Sequence, residues 1–271
     1  MSPLLYDIEQ YRSVVKKLKI TFLGTGTSQG VPVIGCRCDT CISDDVRDRR
    51  LRSSLLVESE NAVVTIDAGP DFRQQMLREG VSRLDAVIVT HEHLDHIGGL
   101  DDIRAYNYLS RRPMKIFAET RARRAIERVF SYVFCEPGYP GIPRMDIINI
   151  EDGIPFSVGN VEVVPVRVFH RKLPVYGFRM GNLAYITDAD SIPDKSLSLL
   201  KGVDLLVINA LRKEKHISHF NLDGALEISR LLLPRHTYLT HIGHHMGRYI
   251  NVSPELPEDV SLAYDGLTLY L

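Results

Sequence analysis

The loop His91-Glu92-His93-Leu94-Asp95-His96 constrains this chain more than any other stretch. It brings three histidines and one aspartate into six residues, directly after the apolar run 84–89. That run is typical of a buried strand, so the loop is predicted to follow a strand end. Side chains at strand ends can converge on one cleft, and imidazole with carboxylate is a common ligand set for metals. The loop therefore predicts a metal site.

More candidate ligands follow predicted strands or lie at turns later in the chain. They are His170, Asp188, His219 and His241. One metal ion needs only three or four protein ligands, and the loop together with these later residues offers more. Two ions on the order of 3.5–4 Å apart, as in other dinuclear hydrolytic sites, fit the set better. The remaining histidines, interpreted as surface or packing residues, include His216, His236 and His245.

The order and spacing of these residues resemble the ligand pattern of the metallo-β-lactamase superfamily of hydrolases. The resemblance covers essentially the whole chain. It implies an α/β (α+β) fold in which residues 1–271 form a single domain. The expected architecture is a four-layer αββα sandwich, with two mixed sheets face to face and helices on the outer faces.

The same resemblance implies a role for each candidate ligand. The first ion would be held by His91, His93 and His170, and the second by Asp95, His96 and His241. Asp188 would bridge the two ions, and Asp67 would orient the histidine loop without binding metal. Nitrogen and oxygen ligands accept zinc, manganese or iron, so the identity of these two divalent ions stays open.

Three of the chain's four cysteines lie in a loop at about residues 35–42, at positions Cys36, Cys38 and Cys41. They are too few for a disulfide scaffold, and in a reducing compartment such a cluster suggests metal. Three thiolates with His244 would make a closed tetrahedral zinc site. This arrangement resembles PhnP-type phosphodiesterases, in which a structural zinc fixes the loop beside the active site. Cys135 is an alternative fourth ligand.

The predicted centre favours an anionic substrate. Two divalent ions outweigh the charge of the carboxylates Asp95 and Asp188, so the pocket is cationic although the formal net charge of the chain is −1. A phosphodiester fits, with a metal-bridged hydroxide attacking phosphorus. His219 matches the histidine that phosphodiesterase branches place near the scissile phosphate, and would act as general acid. The PhnP resemblance implies a small substrate, such as a cyclic ribose phosphate or a 2′,3′-cyclic nucleotide.

Other functions share the ligand order. A ribonuclease Z-like tRNA 3′-processing endonuclease would use the arginine runs at 47–52 and 121–128 on a phosphate backbone. Against it, the sequence has no long glycine- and proline-rich insertion between His170 and His241. A PqqB-like non-catalytic carrier would not need every ligand position filled. A thioesterase or lactonase explains the metals but not the cysteine loop or His219.

Composition and sequence pattern complete the expectations. With 271 residues and 44% hydrophobic content, the chain can bury a substantial core. It has no membrane-length apolar run, and residues 1–19 lack a signal-peptide core, so a cytoplasmic address without a membrane partner is expected. A homodimer is expected from the resemblance alone. Local patterns predict helices over 121–134 and 222–232, and a closing hairpin over 262–271.

Overall fold

The computed structural model describes residues 18–135 and 141–271, so the expectation about the first 19 residues lies almost entirely outside the described part. The strands of the first half are β1 (Lys19–Gly24), β2 (Ser54–Glu58), β3 (Val63–Ile66), β4 (Ala86–Ile88), β5 (Met114–Ala118) and β6 (Met145–Asn149). Its helices are α1 (Phe72–Arg78), α2 (Leu94–Ile97), α3 (Arg104–Ser110) and α4 (Thr120–Val129). Short 3-10 turns cover Val46–Asp48, Leu100–Ile103 and Ser131–Val133.

The second half contains eight further strands. They are β7 (Phe156–Val158), β8 (Val161–His170), β9 (Leu173–Met180), β10 (Leu183–Ile186), β11 (Leu205–Asn209), β12 (His236–Thr240), β13 (Val260–Leu262) and β14 (Thr268–Tyr270). Its helices are α5 (Asp194–Leu200), α6 (Leu222–Leu232) and α7 (Tyr249–Val252), with 3-10 turns at His244–Met246 and Ser253–Glu255. Helix α6 begins as predicted, because the Asn221 side chain accepts a hydrogen bond from the backbone N–H of Gly224.

The strands form two seven-stranded sheets. The first has the order β14-β1-β2-β3-β4-β5-β6, and the second has the order β13-β12-β11-β10-β9-β8-β7. Both are mixed, because β3 to β6 run parallel in the first sheet and β10 to β13 run parallel in the second. The carboxyl ends of these parallel strands are where ligands bind in sheets of this kind.

Three apolar layers stack through the molecule. The middle layer joins the two sheets and includes Phe22 of β1 and Phe178 of β9, both fully buried. An outer layer packs α1 and α4 on the first sheet through Phe72 and Ile126, and the other packs α5 and α6 on the second sheet. Full burial of a large apolar side chain such as Phe178 contributes about 1.5–3 kcal/mol. The expected αββα sandwich is therefore confirmed.

Two local predictions are wrong. Residues 262–271 do not form a hairpin, because β13 pairs with β12 in the second sheet and β14 pairs with β1 in the first. The connecting segment changes sheets: Ala263 N–H donates to Leu239 O, and Gly266 N–H donates to Phe22 O. The predicted helix over 121–134 ends at Val129, where Phe130 turns into the outer apolar layer at 5% exposure.

No helix in the described ranges is long and apolar enough to cross a membrane.

Candidate metal centre

The predicted ligands lie at the carboxyl ends of strands from both sheets. His91 follows β4, and Asp188 and His241 follow β10 and β12. His170 is the last residue of β8, and His219 lies in the connection between β11 and α6. Because the two sheets face each other, these ends line one cleft, as the sequence pattern predicts.

Three residues whose side chains line the cleft have a left-handed backbone conformation. Asp67, Asp188 and His241 each follow a strand, with φ of 64°, 56° and 52°. This conformation costs a residue other than glycine roughly 1–2 kcal/mol, and such strain persists where the surrounding structure enforces it. All three residues lie just beyond a strand end, at the edge of the cleft.

Asp67 organises the histidine loop. Its carboxylate accepts hydrogen bonds from Thr90 N–H at 2.8 Å and from the Thr90 hydroxyl at 2.8 Å and 3.0 Å. The same carboxylate lies 2.7 Å from Nδ1 of His96. A carboxylate accepts, so Nδ1 of His96 carries a proton, and Nε2 is the nitrogen that is left to bind a metal in the cleft. This is the supporting position expected of Asp67.

His170 is oriented in the same way. Its Nδ1 lies 2.6 Å from the carbonyl oxygen of Ser218. A carbonyl only accepts hydrogen bonds, so Nδ1 donates and the lone pair of the neutral ring is on Nε2. Burial lowers the pKa of His170, which favours that neutral form. The carbonyl of Ser218 is a partner that the sequence pattern did not reveal.

Asp188 is the hub of the cluster. One oxygen, Oδ2, lies 3.3 Å from Nε2 of His96 and 3.2 Å from Nδ1 of His241. The other, Oδ1, lies 3.1 Å from Nε2 of His219. Two oxygens that face different histidines match the bridging position implied for Asp188.

The other loop ligands complete the cluster. Nε2 of His91 lies 2.9 Å from Nδ1 of His93, and the ring of His93 lies 5.4 Å from that of His170 between centroids. Asp95 lies 3.2 Å from Nε2 of His96. The cluster has a deep side, where His91, His96, Asp188 and His241 are buried, and an open side with His93, His170 and His219.

Burial and charge set the proton state of these groups. Burial lowers the pKa of His241 to about 4 and that of His91 well below its usual value. Burial alone would raise the pKa of Asp188, but His241 and His96 hold it well below the usual range. Burial would also lower the pKa of His96, yet Asp67 and the other carboxylates raise it well above normal. The neutral rings of His91 and His241 and the ionised Asp188 are therefore in the forms that bind metal ions.

The cluster fits divalent ions. Nε2 of His96 is buried and has no hydrogen-bond partner within the described residues, although carboxylates of Asp95 and Asp188 lie within 3.3 Å. A buried nitrogen that faces two carboxylates needs a proton or a cation between them. The groups His91, His96, Asp188 and Asp188, His219, His241 each place their ligand atoms within 4.8 Å of one another. A cation between Nε2 of His96 and the carboxylates of Asp95 and Asp188 would replace that proton.

The cysteine loop forms a second candidate centre. The Sγ atoms of Cys36, Cys38 and Cys41 lie 3.3 Å, 3.4 Å and 3.4 Å from Nδ1 of His244. Zinc bond lengths of about 2.3 Å to sulfur and 2.1 Å to nitrogen would give a sulfur-to-nitrogen edge of about 3.6 Å in a tetrahedron. The four atoms are thus spaced as a closed zinc site requires. Cys135 is exposed and joins none of the candidate metal groups found among the described residues.

One segment connects the two centres. His241 directly follows β12, and His244 begins the 3-10 turn three residues later. A backbone hydrogen bond from Ile242 N–H to Thr25 O holds this segment, and the side-chain hydroxyl of Ser53 lies 3.2 Å from Nδ1 of His241. The two candidate centres therefore share one anchored segment, on which their ligands His241 and His244 are three residues apart.

His216, interpreted from the sequence as a surface or packing residue, is partly exposed and packs beside His219. Its Nδ1 lies 3.3 Å from Nδ1 of His219 and 3.2 Å from the hydroxyl of Ser218. The spacing of two histidines three residues apart was the available signal, but only the loop conformation brings their rings together. His236 pairs with Ser261 away from the cluster, and His245 is exposed.

Comparisons with known proteins agree with this geometry. The sequence pattern of the beta-lactamase superfamily domain matches residues 63–242. A solved structure described as a new diphosphatase from the PhnP family is 38% identical, with a TM-score of 0.88, over 94% of this chain and 97% of that one. Zinc-bound PqqB from Methylobacterium extorquens shares the fold, with a TM-score of 0.76 and 20% identity over 93% of this chain and 99% of that one.

A longer relative is the octanoyltransferase of Porphyromonas gingivalis, which is 37% identical over 252 residues. The match covers 92% of this chain but only 51% of that protein, so the chain spans about half of its length. The domain match, the two-sheet fold and the coverage of the PhnP-family structure agree. The chain belongs to the metallo-β-lactamase superfamily of hydrolases, and within it to the PhnP type.

Proposed function

We propose that this protein is a metal-dependent phosphodiesterase that acts on small substrates. The observation that carries the proposal is the position of His219 beside Asp188, at 3.1 Å, on the open side of the metal cluster. The seven implied ligands account for the two ions without His219. An additional imidazole at the mouth of such a cluster is suited to proton transfer.

Two divalent ions at this centre would supply an activated water and neutralise charge on the phosphoryl oxygens. The residues of the chain orient the ligands of these ions and donate the proton. His170 and His96 have their lone pairs fixed toward the cleft by Ser218 and Asp67. His219 would protonate the leaving oxygen through Nε2, the atom that faces the cluster. The deep side of the cluster is closed to solvent, which strengthens the electrostatic interactions of His96.

Several arginines of the two runs are engaged by other groups of the chain, which reduces the number of cations available to a nucleic-acid substrate. Arg47 pairs with Asp45 at 2.7 Å, and Arg121 pairs with Glu92 at 2.9 Å. Arg50 is buried and donates to the Ala263 carbonyl at 2.6 Å. Phosphate-backbone binding draws on exposed, uncompensated cations. This supports a small diester over precursor tRNA.

A second candidate substrate is a diphosphate. The relative that shares 38% identity over nearly its full length is described as a diphosphatase. A phosphoric anhydride and a phosphodiester present the same tetrahedral phosphorus to the ions, and differ in the leaving group. A phosphate leaving group needs less protonation than an alkoxide, so diphosphate hydrolysis would depend less on His219. The octanoyltransferase name does not assign acyl transfer here, because half of that protein lies outside the match.

A substrate panel on the metal-loaded protein tests the proposal. It contains bis-p-nitrophenyl phosphate, a 2′,3′-cyclic nucleotide, a nucleoside diphosphate, precursor tRNA, a thioester and a lactone. We expect hydrolysis of the small diesters. Cleavage confined to the diphosphate would favour the second candidate. Activity only on precursor tRNA, only on the thioester or lactone, or on none of the compounds would overturn the proposal.

A further inference from the structure

We infer that His216, acting through the hydroxyl of Ser218, is a positioning residue that holds His219 with Nε2 directed at the metal cluster. Its catalytic meaning rests on the proposed function, whereas the positioning itself does not. The inference comes from a compact hydrogen-bonded group, His216, Ser218 and His219, that no ligand role explains.

The contacts of His219 divide between its two ring nitrogens. Nε2 faces Oδ1 of Asp188 at 3.1 Å. Nδ1 faces the Ser218 hydroxyl at 3.0 Å and Nδ1 of His216 at 3.3 Å. A carboxylate only accepts hydrogen bonds, so Nε2 carries a proton. The Nδ1 side is left to the hydroxyl of Ser218 and the second imidazole.

The Ser218 hydroxyl alone would not fix the Nδ1 edge of the His219 ring. The serine O–H rotates and can donate to either histidine or accept from either. The Ser218 hydroxyl also lies 3.2 Å from Nδ1 of His216, so the three polar groups form a closed triangle. When Nδ1 of His219 accepts a hydrogen bond, Nδ1 of His216 can donate, and the reverse also holds. The Ser218 hydroxyl has a hydrogen-bond partner in either arrangement. Rotation of the His219 ring would break two of these contacts at once.

The surroundings make His216 suitable for this role. Burial and the neighbouring His219 lower the pKa of His216, which favours a neutral ring that can donate or accept. Ser218 is itself anchored, since its carbonyl accepts from Nδ1 of His170 at 2.6 Å. The ring of His219 also stacks on that of His241, with centroids 5.0 Å apart and planes at 13°. Stacking fixes the plane of the His219 ring, and His216 with Ser218 fixes which edge points inward.

All contacts of His216 in this group use Nδ1, which gives a sharp pair of variants. Asparagine places an amide atom where Nδ1 lies, whereas glutamine places one where Nε2 lies. His216→Asn should therefore preserve the positioning, and His216→Ala and His216→Gln should lose it. His236→Asn is the matched control, because His236 is a partly exposed histidine that pairs with Ser261 at the opposite end of β12.

The kinetic test compares a diester that has an alkyl leaving group with bis-p-nitrophenyl phosphate, whose leaving group needs little protonation. We expect His216→Ala and His216→Gln to lower kcat about 10-fold or more for the alkyl diester, since loss of an orienting partner typically costs 10–100-fold. The nitrophenyl diester should change less than about 3-fold, and His216→Asn should stay within about 3-fold on both. Equal losses on both substrates, or no advantage of asparagine over alanine, would overturn the inference.

A second readout does not depend on activity. The ¹⁵N spectrum of the zinc-loaded protein reports which nitrogen of His219 carries the proton. We expect one Nε2-protonated population in wild type and His216→Asn, and a mixture in His216→Ala. An unchanged His219 spectrum in His216→Ala would overturn the inference. A changed spectrum in a protein that hydrolyses no diester would keep the positioning role and reject the proposed function.

Discussion

Nδ1 of His96 lies 2.7 Å from Oδ2 of Asp67, and both side chains are fully shielded from solvent. Asp67 does not reach the other ligands of the cluster, yet it determines which nitrogen of His96 faces the cleft. The Thr90 hydroxyl bonds the same carboxylate and lies 3.0 Å from Nδ1 of His91. One buried carboxylate therefore orients two residues of the histidine loop, His96 directly and His91 through the Thr90 hydroxyl.

Replacement of Asp67 by Asn should weaken metal binding without removing a ligand. The amide is neutral and can present its N–H₂ group to His96, which disfavours the required tautomer. We expect affinity for the second ion to fall about 10–100-fold, as for other partners of metal-bound histidines. Competition with a chromophoric chelator measures this. Asp85→Asn, at the opposite end of β4, should leave affinity unchanged, and an equal loss in that control would argue against a specific role of Asp67.

His219→Ala should separate catalysis from metal binding. We expect kcat for a diester with a poor leaving group to fall by about 10²-fold or more, because the leaving oxygen loses its proton donor. Elemental analysis of the same sample should give the metal content of wild type. If the variant loses an ion, His219 is a ligand and the assignment of the general acid is wrong.

Cys38→Ser should remove the zinc of the cysteine loop. We expect a loss of about one zinc per chain and a fall in Tm of roughly 4–8 °C, which corresponds to about 2 kcal/mol for a protein of this size. The matched control is Cys135→Ser, because Cys135 is exposed and lies outside the cluster. Zinc content and Tm that respond alike in both variants would refute the structural site.

The metal-free protein should lose stability in mild acid. Burial lowers the pKa of His241 from 6.5 to about 4. Between these two values the unfolded chain binds a proton that the folded protein does not, so the free energy of unfolding falls as pH falls through this window. The contribution of His241 is up to about 3 kcal/mol. The lowered pKa of His91 acts in the same direction, whereas the raised pKa of His96 opposes it at higher pH.

Urea unfolding of the metal-free protein at the two ends of that window measures the effect. His241→Asn should show a clearly shallower loss of stability than wild type, because asparagine does not titrate. Equal pH dependence in the two proteins would mean that His241 is not the group responsible.

Much of the metal centre was predictable from sequence because its ligands follow strands. Apolar runs such as 84–89 mark the strand ends, and strand ends share one edge in a parallel sheet. The apolar layers on the two sheets follow from the same runs. The role of His216 was not predictable, because it depends on the conformation of the connection between β11 and α6 and not on any periodic pattern.

The places where prediction failed have a common physical origin. Strand β6 carries no clear signal in the sequence, because it is an edge strand whose residues are partly or fully exposed and its apolar alternation is weak. The closing hairpin was wrong because alternation reveals a buried face but not the partner strand. The segment between β13 and β14 changes sheets through contacts with Leu239 and Phe22, and these long-range partners are invisible in the local sequence.

The most direct test of the dinuclear hydrolase is metal content and diester hydrolysis measured on the same samples of wild type and Asp188→Asn. We predict about three ions per wild-type chain, two at the Asp188 centre and one at the cysteine loop, with turnover of bis-p-nitrophenyl phosphate. The variant should keep the cysteine-bound zinc, lose at least one other ion and lose the activity. A wild-type protein with a single ion, or a variant that hydrolyses the diester at the wild-type rate, would contradict the account.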